Sequence, residues 1–200
     1  MSTWMTRDGR PIEVRPARGA FDDFAAVVGP KTPGTPGCWC MAYRDARKGL
    51  DDRIAHMKSE CATEPGPGVL AYIEGVVAGW CSVAPRSSYR RLMNSRTIPN
   101  LQKLEIDERD PWAIVCFVVR AGYRKKGVAR ALLGGAIEHV RAHGGGVLEG
   151  YPVSDEEGRV DTISGYVGGT SLFEQAGFTR VMLTDSHLAH RDRWLMRLEV

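Results

Sequence analysis

The chain has 200 residues, 43% hydrophobic and 26% charged, the make-up of an ordinary globular protein rather than a disordered or fibrous one. Its net charge of +3 is too small to imply a nucleic-acid or membrane partner. Neither a basic stretch with an apolar run behind it at Met1–Asp8 nor about eighteen apolar residues in a row is present, so secretion and membrane spanning are not expected. Five scattered cysteines, an odd number, fit reduced thiols in the cytoplasm, and this length fits one domain over residues 1–200.

Ile12–Arg15 alternates as a strand does, and Phe21, Phe24, Ala25 and Val28 recur at helical spacing over Ala20–Val28. Three prolines and three glycines in Gly29–Gly37 forbid regular structure and mark a long loop. A second helix is expected over Asp51–Cys61, with Ile54, Met57 and Cys61 on one side and two aspartates at its positive end. Val69–Ile73 and Val76–Ala84 then read as a hairpin around Glu74-Gly75.

Pro85–Pro111 is mostly connection, with a short helix at Tyr89–Met93. Trp112–Val119 is apolar throughout, the pattern of a strand covered on both faces at the centre of a sheet. Gly127–His143 carries Val128, Leu132, Ala136 and Val140 at fourfold spacing, a long amphipathic helix stopped by three glycines. Val147–Val153 reads as the next strand, so strand, helix and strand form a crossover that builds a parallel pair. A polar loop at Ser154–Asp161, a helix at Thr170–Ala176 and strands at Thr179–Leu183 and Arg193–Glu199 complete the chain.

Between the apolar strand and its helix stands Arg120-Ala121-Gly122-Tyr123-Arg124-Lys125-Lys126-Gly127-Val128-Ala129. A helix start exposes unpaired N–H groups and the positive end of the dipole, and a glycine there lets a diphosphate approach the main chain. Charge-assisted hydrogen bonds of roughly 1.5–3 kcal/mol each outweigh a dipole contribution of roughly 0.3–1 kcal/mol, so the shape of the loop matters more than its lysines. Alone, the segment is equally a solvated basic turn.

Arg124-Lys125-Lys126-Gly127-Val128-Ala129 resembles the pyrophosphate-binding signature of the GNAT superfamily of acyl-coenzyme A-dependent acyltransferases, and Leu172–Phe178 resembles its second signature, a short helix closing on Gly-Phe. The resemblance spans about Val69–Leu183 and fits the first 68 residues more loosely. It implies a mixed, mostly antiparallel twisted sheet of six to seven strands flanked by helices, with a parallel splay between the fourth and fifth strands that binds acetyl-CoA. Arg124–Ala129 would hold the pyrophosphate, Phe117-Val118-Val119 the pantetheine arm, and the backbone N–H of Val118 or a neighbour would polarise the thioester carbonyl. No metal is implied.

The tyrosine that protonates the leaving sulfur in many relatives is replaced here by Phe173, placed with the coenzyme site on the same resemblance. Tyr166, Ser171 and Tyr151 are the substitute acids to consider, and Glu149, then Asp110, the candidate bases. Strand alternation puts Glu149 and Tyr151 on one face, although a salt-bridged Glu149 is equally expected.

Cys38-Trp39-Cys40-Met41 would line the acceptor pocket with Trp80, in preference to a zinc site or a nucleophilic cysteine, since cysteine is commonly a small buried hydrophobe. Arg86, Arg90 and Arg91 would stand near the mouth of the cleft, where solvated surface arginine is the plainer alternative. The expected partners are acetyl-CoA and a primary amine attacking within a ternary complex. A homodimer is compatible with the sequence and not argued by it. The alternative is a non-catalytic acyl-CoA sensor.

Overall fold

A computed structural model describes residues 3–30, 35, 37–95, 97–98, 110–156, 158, 164–188 and 190–200. Parts of three expected connections lie outside the described residues: 31–34 and 36 of the proline-glycine loop, 96 and 99–109 of the Pro85–Pro111 connection, and 157 and 159–161 of the polar loop.

Among the described residues eight strands form one sheet: β1 (Trp4–Met5), β2 (Pro11–Pro16), β3 (Gly68–Ile73), β4 (Val76–Pro85), β5 (Trp112–Val119), β6 (Val147–Gly150), β7 (Thr179–Leu188) and β8 (Arg191–Glu199). Their spatial order is β1-β2-β3-β4-β5-β6-β8-β7. Every pairing is antiparallel except β5 with β6. The strand beyond the six or seven expected is β1, whose two residues are too short to show alternation. The helices are α1 (Phe21–Val28), α2 (Leu50–Ala62), α3 (Arg90–Met93), α4 (Val128–Ala142) and α5 (Thr170–Glu174).

The apolar stripe of α4 packs on one face of the sheet, where Val128, Leu132, Leu133, Ala136, Ile137 and Val140 join Ile12, Ile73, Ile114 and Phe117. Each of these side chains larger than alanine contributes roughly 1.5–3 kcal/mol on full burial. The helix lies close enough that a Cβ on Gly135 would stand 2.3 Å from a methyl of Val14. On the other face α1 and α2 bury Phe24, Val28 and Met57 against Leu70, Tyr72 and Trp80. Covered on both sides, β5 is mostly buried along its length, which its apolar run demands.

Two strands differ in extent from the sequence expectation. β6 stops at Gly150 rather than Val153, because Pro152 has no N–H for the ladder and only its carbonyl is used, by Trp194 N–H at 3.0 Å. Conversely β7 runs on to Leu188, paired with β8 through two register irregularities.

Candidate active site

β5 and β6 are paired only over Trp112–Ile114 and Leu148–Gly150. Beyond Ile114, β5 runs on to Val119 paired, among the described residues, with β4 alone, so its other edge is open there. Phe173 of α5 fills the space behind the opening: a Cβ on Gly150 would lie 2.2 Å from its ring, which packs edge-on to Phe117 and Phe178.

The direction of the free groups on β5 follows from one bond. Arg120 N–H bonds Ala78 O on the β4 side at 3.0 Å, and successive residues of a strand point their hydrogen-bonding groups to opposite edges. Val118 therefore faces β4, while Phe117 and Val119 turn theirs to the opening. Of the groups expected to polarise a carbonyl there, those of Val118 or a neighbour, the neighbours Phe117 and Val119 are the ones that face the opening.

Five residues past Val119 the chain folds into the cradle. Gly127 caps α4 in the left-handed region at φ 90, Lys125 lies there too at φ 62, and no side chain caps the helix. Ala131 N–H is the first amide of α4 to close a helical bond, on Gly127 O at 3.1 Å. Among the described residues the amides of Gly127, Val128, Ala129 and Arg130 have no acceptor, the four donors a helix start leaves free. Arg124 folds back with Nε donating to Val119 O at 3.2 Å, and Lys126 Nζ sits 5.8 Å from the centre of the Tyr123 ring. Lys125 is exposed beside the helix start.

A groove connects these parts. A cleft of about 710 Å³ takes in Trp4, Tyr123, Lys125, Gly127 and Val128, and one of about 350 Å³ takes in Phe117, Val118, Tyr166 and Gly168. Val119, Arg124, Ala129 and Leu172 line both. The unpartnered amides, the open strand edge and the Tyr166 phenol thus border one continuous trough.

Of the sequence-derived acid and base candidates, Tyr166 and Ser171 line that trough. Burial, then its neighbour Tyr43, to which it is hydrogen-bonded, pushes the Tyr166 hydroxyl up to about 12. Glu149 is fully buried: it accepts from Arg86 Nη1 at 3.1 and 3.3 Å, from Arg197 at 2.8 and 3.1 Å, and from the Tyr151 hydroxyl at 2.7 Å. Tyr151 is buried with it, and burial, then the Glu149 charge, drives its pKa upward. Arg86, expected at the cleft mouth, is consumed in this junction and is 2% exposed. Ser171 is held by Asp155, and Asp110 accepts from Ser87 N–H at 3.1 Å.

The structure puts Phe173, Trp39, Met41 and Trp80 in the core. Phe173 is wholly buried, Trp39 stacks on Phe21 at 6.2 Å, and Trp80 meets Phe24 edge-on at 5.2 Å. Met41 is 1% exposed in the same cluster. Cys38 is exposed, and a hydrogen bond from Cys40 with backbone amides of residues 40–42 lowers its thiol to about 6. Among the described residues no three His, Cys, Asp or Glu side chains are grouped to hold a metal. No helix of the described residues is long and apolar enough to cross a membrane. The sequence reading missed Tyr43 and Trp4, which stand in aperiodic segments where an aromatic carries no positional signal.

Comparison with known proteins agrees with this fold. The model of the acetyltransferase (GNAT) family matches residues 38–151. The chain belongs to that family, whose members use acetyl-CoA. Solved structures with the same fold include an acetyltransferase of the GNAT family from Streptococcus pneumoniae, at TM-score 0.54 and 15% identity over 94% of this chain and 99% of that one. An agmatine N-acetyltransferase mutant in its apo form aligns at TM-score 0.58 and 12% identity over 94% and 99%. The Salmonella typhimurium protein yncA, solved with its cofactor acetyl-CoA, aligns at 0.50 and 17% over 94% and 93%. No curated protein sequence matches the chain.

Proposed function

We propose that the protein transfers an acetyl group from acetyl-CoA to a primary amine, by direct attack while both are bound. The observation that carries this reading is the continuous trough from four unpartnered amides, along an open strand edge, to a phenol that keeps its proton.

Each part has a role in that reaction. The amides of Gly127–Arg130 hold the diphosphate, with Arg124 and Lys125 flanking it. Phe117 offers its N–H and carbonyl and Val119 its N–H to the pantetheine arm, the Val119 carbonyl being held by Arg124 Nε, and one of the two N–H groups stands to polarise the acyl carbonyl. Acetyl-CoA supplies the acyl group already activated as a thioester. Tyr166, with a hydroxyl at about 12, is protonated at neutral pH and donates to the departing sulfur.

Glu149 and Tyr151 take no part in this scheme. A carboxylate with two guanidiniums and a phenol on it has no lone pair directed at an incoming amine. The amine is taken to lose its proton to water. Residues 1–200 are read as one domain.

A non-catalytic acyl-CoA sensor is the second reading, favoured by the wholly buried Phe173 at the place of the usual acid. Calorimetry with acetyl-CoA and thiol release over an amine panel separate the two. Binding with no thiol released by any amine would leave only the sensor.

A further inference from the structure

We propose that the cleft between the 44–47 turn and α3 binds an oxyanion, a carboxylate or phosphate, carried by the acceptor amine. That the oxyanion belongs to the acceptor rests on the acetyl-transfer reading; the anion site itself rests on the following contacts.

The cleft, about 780 Å³, is lined by Arg44, Arg47, Arg90 and Arg91. These four guanidiniums share only two carboxylates among the described residues: Glu60, 2.8 Å from Arg44 Nη1, and Asp45, 3.2 Å from Arg47 Nε. Arg91 uses Nη1 on Ala42 O at 3.0 Å, and the Arg90 side chain makes no ion pair or hydrogen bond among the described residues. The surplus is therefore positive and local, in a chain whose total charge is nearly balanced.

One of the four cannot turn away to water. The Arg44 side chain is 2% exposed, its guanidinium lies 4.8 Å from the centre of the buried Tyr89 ring, and its Nε and Nη2 have no acceptor. A buried cation left partly unpartnered is costly unless something else compensates it. Here it forms a fixed charge beneath the cleft. Arg47 and Arg90, both exposed, are free to close on a ligand above it.

The location ties this cleft to the acceptor rather than to the coenzyme. It shares no lining residue with the trough, whose own cations, Arg124 and Lys125, stand at the helix start. Tyr43 links the two: it neighbours Tyr166, which lines the trough, accepts Arg91 N–H at 3.0 Å through its carbonyl, and is followed directly by Arg44. An amine entering beside Tyr166 would extend its far end over the arginines. A polyamine would meet repulsion there.

Two measurements test this. In the first, inorganic phosphate and acetate are titrated into the CoA-bound protein by calorimetry, in the wild type and in an Arg47→Ala/Arg90→Ala variant of exposed residues. At least tenfold weaker binding of the preferred ion is expected in the variant. In the second, thiol release is followed with length-matched amines: aminopropanol, diaminopropane, β-alanine and phosphoethanolamine. An anionic amine should exceed aminopropanol at least tenfold in kcat/KM, β-alanine leading if a carboxylate is read and phosphoethanolamine if a phosphate is. The variant should raise the KM of that amine far more than that of aminopropanol. Arginine-dependent ion binding with no turnover of any amine would uphold the anion site and sink acetyl transfer. Turnover that favours diaminopropane, or ion binding indifferent to both arginines, would overturn the proposal and leave acetyl transfer standing.

Discussion

Arg86 and Glu149 are 63 residues apart in the chain and meet at 3.1 Å with both side chains closed to solvent. Arg86 leaves the end of β4 and Glu149 belongs to β6, so the pair bridges the sheet across β5 at the one place where its strands run parallel. Removing one member of such a pair leaves the other as an uncompensated buried charge, at a cost of roughly 3–5 kcal/mol. Glu149→Ala should accordingly lower the thermal midpoint by roughly 10 °C or more, read by circular dichroism. A variant that unfolds like the wild type while losing turnover would instead make Glu149 a working base.

Gly127 is where the coenzyme assignment is most exposed to test. Its φ of 90 disfavours any side chain, and a carboxylate there would meet a diphosphate charge to charge. Calorimetric affinity for acetyl-CoA should fall about tenfold in Gly127→Ala, equivalent to about 1.4 kcal/mol, and become undetectable in Gly127→Asp. Retained affinity in the aspartate variant would place the diphosphate elsewhere.

Tyr166 and Phe173 make opposite predictions for the same added or lost hydroxyl. Tyr166→Phe should reduce kcat by about 10²-fold, in the range of a lost general acid, with little change in either KM. Phe173→Tyr should rescue nothing. Its ring is wedged among Gly150, Phe117 and Phe178, so the new hydroxyl would be buried without a partner and cost roughly 1–3 kcal/mol. If Phe173→Tyr raised kcat at unchanged stability, the acid would have to be reassigned.

His139 gives the fold a pH dependence. Its ring packs edge-on to Trp112 at 5.7 Å, and burial, then the neighbouring His143, lowers its pKa to about 4, against a slight opposing pull from Glu64. Because the folded value lies below the unfolded 6.5, the unfolded chain binds the proton first as pH drops. The stabilisation is complete above about pH 6.5 and is lost as pH falls toward 4, by roughly 3 kcal/mol in all. Denaturation midpoints of His139→Leu should therefore show a shallower pH slope across that window. Parallel slopes in the two proteins would show that His139 titrates normally.

What the sequence made legible follows the range of the interaction. α4 and β5 are long, and their apolar patterns are local, so their extents are read within a residue. The cradle is legible for the same reason, being one contiguous loop between them. Trp39, Met41 and Trp80 show the limit: an apolar side chain suits a ligand pocket and a core equally, and only the packing of α1 against β4 decides between them. Arg86 reads from the sequence as a cation at the cleft mouth or on the surface because its partner lies far along the chain and on another strand. Phe173 could be recognised as a departure from the family's tyrosine, but not as the wedge that separates two strands.

The open edge of β5 has a cost when the protein is alone. Unsatisfied main-chain groups on a strand are a template on which other polypeptides can stick, and natural sheets go to some length to cover them. In the proposed complex the pantetheine arm, with amides of its own, would do the covering, standing in for the pairing that β6 gives up after Gly150. The coenzyme would then be a reagent and also a detachable piece of the architecture, whose departure leaves the protein open to association with its own kind.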